Sequence, residues 1–230
     1  MAQPTPRAAS AMMLPSGFHD VPAGHVPTVV THLEMTARPE PRPAPGQWAF
    51  RLVERPEPAW YRDLYRRIGT QYLWAARLYW SDETMRAKLH HPAVEVWTLR
   101  VGQADEGLAE LDFGTEGEGE IRMFGVTAAL TGTTAARSLM THVLARAWAR
   151  PGLGRLWLHT CTLDHPRALA FYIRSGFVPF RQQVEIMPDP RLDGTLPADA
   201  APNVPIIRPT GRGYVRRTIQ PENLPVWPAG

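Results

Sequence analysis

The segment His165-Pro-Arg-Ala-Leu-Ala-Phe-Tyr-Ile-Arg-Ser-Gly-Phe177 carries the most informative spacing in this sequence. Ala168 and Tyr172 stand four apart, so on a helix they share one face and set a phenol beside a small residue. Gly176 suits the left-handed residue that ends such a helix, and Phe177 then re-enters a core. The plain alternative is a buried aromatic on an ordinary capped helix. A second group lies in Glu118–Val126, where alternation puts Glu118, Glu120 and Arg122 on one face of a strand and Ile121 and Met123 on the other. There Glu120 can be an edge carboxylate in solvent or a partner of Arg122. His159, Cys161 and His165 give an H-x-C-x-x-x-H spacing with no fourth ligand nearby, too sparse for a structural zinc site, and no metal is expected. Cys161 has the chemistry of a nucleophile, but at the end of a strand it reads as a small buried residue. The aromatic residues between Trp60 and Trp80 either pack helices onto a sheet or line a pocket.

These residues need elements to hold them. Thr28–Met35 reads as a strand, followed by helical spacing over Glu57–Ile68 and Ser81–His90, the second with Ser81 as N-cap. Val94–Val101, Leu108–Phe113 and Glu118–Val126 read as strands joined by glycine turns. Thr133–Arg150 is the strongest helix, with Leu139, Val143, Leu144 and Ala147 on its apolar face and Pro151-Gly152 as its stop. Leu156–Cys161 is a strand, and Pro166–Ser175 a helix with Asp164 as cap candidate. Val178–Met187 closes the set as a strand. The order β-α-α-β-β-β-α-β-α-β implies an α/β fold with helices flanking a mixed sheet.

Proline marks the edges. Of 24 prolines, nine lie in residues 1–46 and nine in 188–230. Fixed dihedrals and missing donors make such stretches arms or turns. The expected organisation is a proline-rich arm over 1–26, one domain over 27–187 and a second proline-rich arm over 188–230. The arms are candidates for wrapping a second copy in a homodimer. Apolar residues at 44% and charged residues at 20% describe a globular chain. A net charge of +3 without basic clustering argues against a nucleic-acid partner. No apolar run approaches the roughly 20 residues that span a bilayer, so no membrane partner is expected. One cysteine and no secretory signal fit the cytoplasm.

The 165–177 segment closely resembles the signature N-x-x-A-x-x-x-Y-x-x-x-G-F of GNAT-superfamily N-acyltransferases, matching at Ala168, Tyr172, Gly176 and Phe177, with His165 where asparagine is common. Tyr72-Leu-Trp-Ala-Ala-Arg-Leu-Tyr-Trp-Ser-Asp-Glu83 and Trp157-Leu-His-Thr-Cys-Thr-Leu-Asp-His-Pro166 also look like segments of a bacterial branch. The resemblance implies a mostly antiparallel mixed sheet with a bulged, splayed central strand pair. It also implies acetyl-CoA as cosubstrate and an amine, here a small molecule, as acceptor attacking the thioester directly. Phe124, Val126, the loop Thr131-Gly-Thr-Thr-Ala-Ala136, Arg137, His165 and Ala168 would hold the cosubstrate, with pyrophosphate at a helix N-terminus. A backbone N–H near Val126 would polarise the thioester carbonyl. Tyr172 would protonate the departing thiolate, and Glu120 is the candidate base, with His159 as its rival.

The loop departs from the family pattern R/Q-x-x-G-x-G/A. Thr131 stands for the arginine or glutamine and Thr134 for the central glycine, and a β-branched residue adopts positive φ only under strain. The competing reading is therefore a non-catalytic GNAT-fold module, with a degenerate loop, that binds a ligand or a protein.

Overall fold

A computed structural model of the chain describes residues 14–40 and 43–209. Seven strands form one sheet in the order β2-β3-β4-β5-β6-β1-β7: β1 (His25–Met35), β2 (Ala49–Leu52), β3 (Val94–Val101), β4 (Ala104–Asp112), β5 (Glu118–Val126), β6 (Arg155–Cys161) and β7 (Val178–Pro188). Every pairing is antiparallel except β5 with β6. The four-residue edge strand β2 has no counterpart in the sequence reading. Four residues beside a proline-rich stretch carry too little alternation to register, and pairing with β3 is what makes them a strand.

Two helical layers cover the sheet. On one face lies α1 (Pro58–Gly69), opened by Pro58 in its first turn, with Tyr61, Leu64, Tyr65 and Ile68 buried along one stripe. With it packs α2 (Asp82–Leu89), whose N-cap Ser81 Oγ accepts from the Thr84 backbone N–H at 3.1 Å. The other face carries α3 (Ala135–Ala147), which buries Ala135, Leu139, Val143 and Ala147 every fourth residue, and α4 (Ala168–Arg174), which buries Tyr172. Asp164 does not cap α4. The N-cap position belongs to Arg167, and Asp164 is drawn away by other donors.

Two irregularities set the centre of the sheet. Ile121 opposes Leu111 while Met123 opposes Glu110, so Arg122 is an extra residue, a β-bulge in β5. The expected alternation therefore fails at this point. Ile121 packs into the core under α3, and both Glu120 and Met123 face the α1 side. The bulge also lies four residues before Val126 rather than at it. Second, β5 and β6 pair only from Glu118–Arg155 to Ile121–Leu158, and beyond that point the two strands separate.

The packed body also runs past Met187. Leu196, Ala200 and Ala201 are buried against Val26, Leu73 and Ala75. Arg191 holds this return by pairing with Asp189 at 2.7 Å and donating to the carbonyls of Ala200, Ala201 and Val204. Residues 189–208 are thus not an extended arm: their few apolar side chains find a third cluster that proline content gives no hint of. Residues 1–13 and 210–230 of the two expected arms lie outside the described residues.

Candidate active site

Where β5 and β6 part, the sheet has an opening with a cavity of about 350 Å³. Phe124, Gly125 and Val126 of β5 line it, with Leu130–Thr133 of the following loop and Ala136 and Arg137 of α3. Asp164, His165 and Arg167 contribute from the chain leading into α4, and Ala168, Phe171, Tyr172 and Arg174 from α4 itself. Ile68, Tyr72 and Trp74 come from the α1 side. Side chains from both faces of the sheet therefore meet in one space. Ten of the residues singled out in the sequence converge here: Phe124, Val126, Thr131, Gly132, Thr133, Ala136, Arg137, His165, Ala168 and Tyr172. Thr134, Ala135 and Glu120 do not line the cavity, nor do His159 and Cys161.

The loop avoids the strain its sequence suggests. Gly132 alone takes positive φ, at 83°, while Thr134 sits at φ −81° in a right-handed conformation open to any residue. The Thr134 hydroxyl accepts from Trp48 Nε1 at 3.0 Å and so is turned away from the cavity. Ala135 is fully buried against the core, which is why it makes no wall. Thr133 Oγ donates to the Leu130 carbonyl at 2.7 Å and accepts from the Ala135 N–H at 3.1 Å. The N–H groups of Gly132, Ala136 and Arg137 have no acceptor among the described residues. With the α3 dipole behind them and the Arg137 side chain on the wall, they fit an anionic group such as a pyrophosphate.

The β5 edge offers a second set of donors. Thr127 N–H bonds back to the Glu106 carbonyl at 2.9 Å on the β4 side. Successive N–H groups point to opposite edges, so those of Phe124 and Val126 face the opening. Around them Phe124 stacks on Phe171 with ring centres 5.7 Å apart, and Tyr172 stands edge-on to both. Burial, reinforced by the Asp164 carboxylate, holds the Tyr172 phenol proton well above the ordinary tyrosine range.

A model of the acetyltransferase (GNAT) family matches residues 59–177, from the start of α1 to Phe177, three residues past α4. The chain belongs to this family. Similar solved structures include a tandem GNAT protein from the clavulanic acid biosynthesis pathway, which shares the fold at 15% identity, with a TM-score of 0.50 over 73% of this chain and 53% of that one. A GCN5-related N-acetyltransferase from Sphaerobacter thermophilus is 16% identical, with a TM-score of 0.47 over 71% and 52%. A third, from Kribbella flavida, is 14% identical, with a TM-score of 0.48 over 73% and 60%. The chain thus spans between about half and three fifths of the length of these three structures. No curated protein matches it.

The remaining sequence candidates sit away from this GNAT cavity. His159 lies on β6 beyond the paired stretch, and burial pushes its imidazole down to about 4, where it stays neutral at physiological pH. Burial likewise raises the Cys161 thiol, which disfavours a thiolate nucleophile. Glu120 is buried beside Arg122, Oε2 to Nη2 3.0 Å, and burial lifts its carboxyl to about 7 against that arginine's pull. Sequence reading missed Asp164, Ile68 and Arg167 as wall residues, and it offered Tyr72 and Trp74 only within a run of aromatic residues that pack helices or line a pocket. Asp164 alone had drawn notice, as a helix cap, because the fold that brings it to Trp74 is invisible locally.

The raised Glu120 value makes a stability prediction. A carboxyl that titrates near 7 when folded and near 4.5 when unfolded binds its proton more tightly in the native state. Its stabilising contribution is complete below about 4.5 and is lost as pH rises through about 7, a change of about 3 kcal/mol. Glu120→Gln should therefore gain stability relative to the native chain between pH 4.5 and pH 8, read as the difference in urea midpoints. An equal difference at both pH values would mean that Glu120 titrates normally.

Proposed function

We propose that this GNAT chain is an acetyl-CoA-dependent N-acyltransferase that moves an acetyl group to the amine of a small-molecule acceptor by direct attack. One observation carries the reading: the cavity where β5 and β6 part is lined from both faces of the sheet, which gives two reactants room to meet beside Tyr172. Acetyl-CoA would supply the activated thioester. Gly132, Ala136 and Arg137 are the residues to hold its pyrophosphate, and Phe124, Ala168 and His165 border its path along the wall.

The reaction asks four things of the chain. The N–H groups of Phe124 and Val126 polarise the carbonyl and stabilise the charge that gathers on its oxygen. The walls orient amine and carbonyl, converting an encounter into a positioned attack. Glu120 takes the ammonium proton through water, since it does not border the cavity itself, and a carboxyl near 7 suits that task. Tyr172 Oη gives its proton to the departing sulfur and is restored by the second proton that the nitrogen loses. The same burial that raises the phenol also raises the basicity of a thiolate formed beside it. Its single cysteine suits a reducing compartment such as the cytoplasm, and no helix among the described residues is long and apolar enough to cross a membrane.

Calorimetry with acetyl-CoA and CoA tests the reading. The expected dissociation constant lies between about 1 μM and 1 mM, and thiol release should follow when a matching amine is added. Absence of binding at the upper end of that range would leave the non-catalytic module as the function of this fold.

A further inference from the structure

The cavity is electrically uneven. Its cations, Arg137, Arg167 and Arg174, all stand on α3, α4 or the residue before α4, while its one carboxylate among the described residues, Asp164, is tied to the opposite face. Trp74 Nε1 donates to Asp164 Oδ1 at 2.9 Å. Thr160 Oγ and the Cys161 backbone N–H both donate to Oδ2, at 2.7 and 3.0 Å. These three bonds fix the carboxylate and leave acceptor capacity on Oδ1, because an ionised carboxylate offers about four sites.

The neighbouring rings are placed with equal firmness. Tyr72 and Trp74 flank Leu73, a buried leucine held at φ 56°, ψ 31° in the left-handed region. That conformation costs on the order of 1 kcal/mol or more for a non-glycine residue and persists only where the surroundings enforce it. Its effect is to send both flanking rings to the cavity wall where Asp164 lies. Gly69 makes the arrangement possible, since a Cβ there would meet the Trp74 side chain at 2.5 Å. A fixed carboxylate that shares a wall with two aromatic rings is a chemical match for an alkylammonium, to which the carboxylate offers an ion pair and a ring face cation–π attraction.

Resting on the acyltransferase reading above, we propose that Asp164, with Tyr72 and Trp74, seats the acceptor's ammonium group, and that the acceptor class is a cationic primary amine with no carboxylate beside its nitrogen. An α-amino acid would bring its own carboxylate against Asp164 and be repelled. Asp164 thereby selects and orients the acceptor, while proton removal stays with Glu120 by way of water.

Calorimetry on the CoA-loaded protein tests this with phenethylamine, its neutral isostere 2-phenylethanol and phenylalanine as probes. The native chain should bind phenethylamine at least tenfold more tightly than either of the other two. Asp164→Asn should remove that preference while keeping CoA affinity within twofold. Because Asp164 also ties the 160–164 turn, Tyr72→Leu serves as a second variant that leaves its three donors in place, and a three- to tenfold loss of phenethylamine binding is expected. Equal binding of amine and alcohol, no binding of the amine, or an Asp164→Asn chain that keeps the preference would overturn the assignment. Failure to bind CoA with retained, Asp164-dependent amine binding would instead count against the acyltransferase reading and leave the ammonium seat standing.

Discussion

Tyr172→Phe should lower turnover about 100-fold, at the modest end of what a positioned general acid contributes, while acetyl-CoA affinity changes less than twofold. The change removes one oxygen from a ring that otherwise keeps its packing against Phe124, Phe171 and Phe177. Shape and burial therefore stay, and only the proton is lost. The structure sharpens the expectation in a second way. The phenol is buried and held protonated far beyond neutrality, so its loss should lower the rate evenly across pH 6–9 rather than shift a midpoint. The rising limb of the profile, near 7, belongs instead to Glu120 in the proposed reaction and should be absent in Glu120→Gln. Leaving groups with lower thiol pKa need less protonation, so they should narrow the gap between the native chain and Tyr172→Phe. Unchanged turnover in this variant would take the acid role from Tyr172.

The largest stability loss is expected at Arg77. Its guanidinium is buried on a 3₁₀ turn (Ala76–Tyr79), 2.9 Å from Glu110 Oε1 on β4, while Tyr61 of α1 donates a short hydrogen bond to the other Glu110 oxygen. The Trp80 ring lies 4.1 Å from the guanidinium carbon. Removing one partner of such a pair leaves an uncompensated charge in the core, which costs about 3–5 kcal/mol. For a chain of this size that is roughly 10 °C of melting temperature. Arg77→Ala should show this loss. Adding Glu110→Gln should recover more than half of it, because the glutamine carbonyl still accepts from Tyr61 without carrying charge. Melting curves of the two variants decide the matter: a double variant no better than the single would mean that packing on Trp80, not charge, is what Arg77 provides. The same network fastens the turn to β4 directly after Trp74, so Arg77→Ala should also weaken amine binding more than CoA binding.

The two predictions draw on different kinds of legibility. Tyr172 was readable because its signature is contiguous: helix spacing, the glycine that ends the helix and the returning phenylalanine all fall within 13 residues. Strands β3 and β5 and the Ser81 cap were legible for the same reason, since alternation and capping are local rules. Arg77–Glu110–Tyr61 was not, because its members are 16, 33 and 49 positions apart and nothing in their neighbours marks them for burial. The Arg122 bulge was equally hidden. Which residue of β5 becomes the extra one depends on the register that β4 imposes, and that choice moved Met123 to the face of Glu120.

By itself the sequence determined the family and the order of the main elements, because each follows from periodicity or from a motif whose parts are close in the chain, and the family resemblance then pointed to ten residues of the cavity wall. Only the tertiary structure decided that Thr134 needs no positive φ and turns to Trp48, that Glu120 stands behind the wall, and that Asp164 meets Trp74 across 90 positions. It also decided where the packed body ends, by burying Leu196 and Ala200 beside Val26. The physical reason is common to all four. Hydrogen bonds and apolar contacts between distant segments are selected by the sheet register and by what remains to be buried, and a linear pattern records neither.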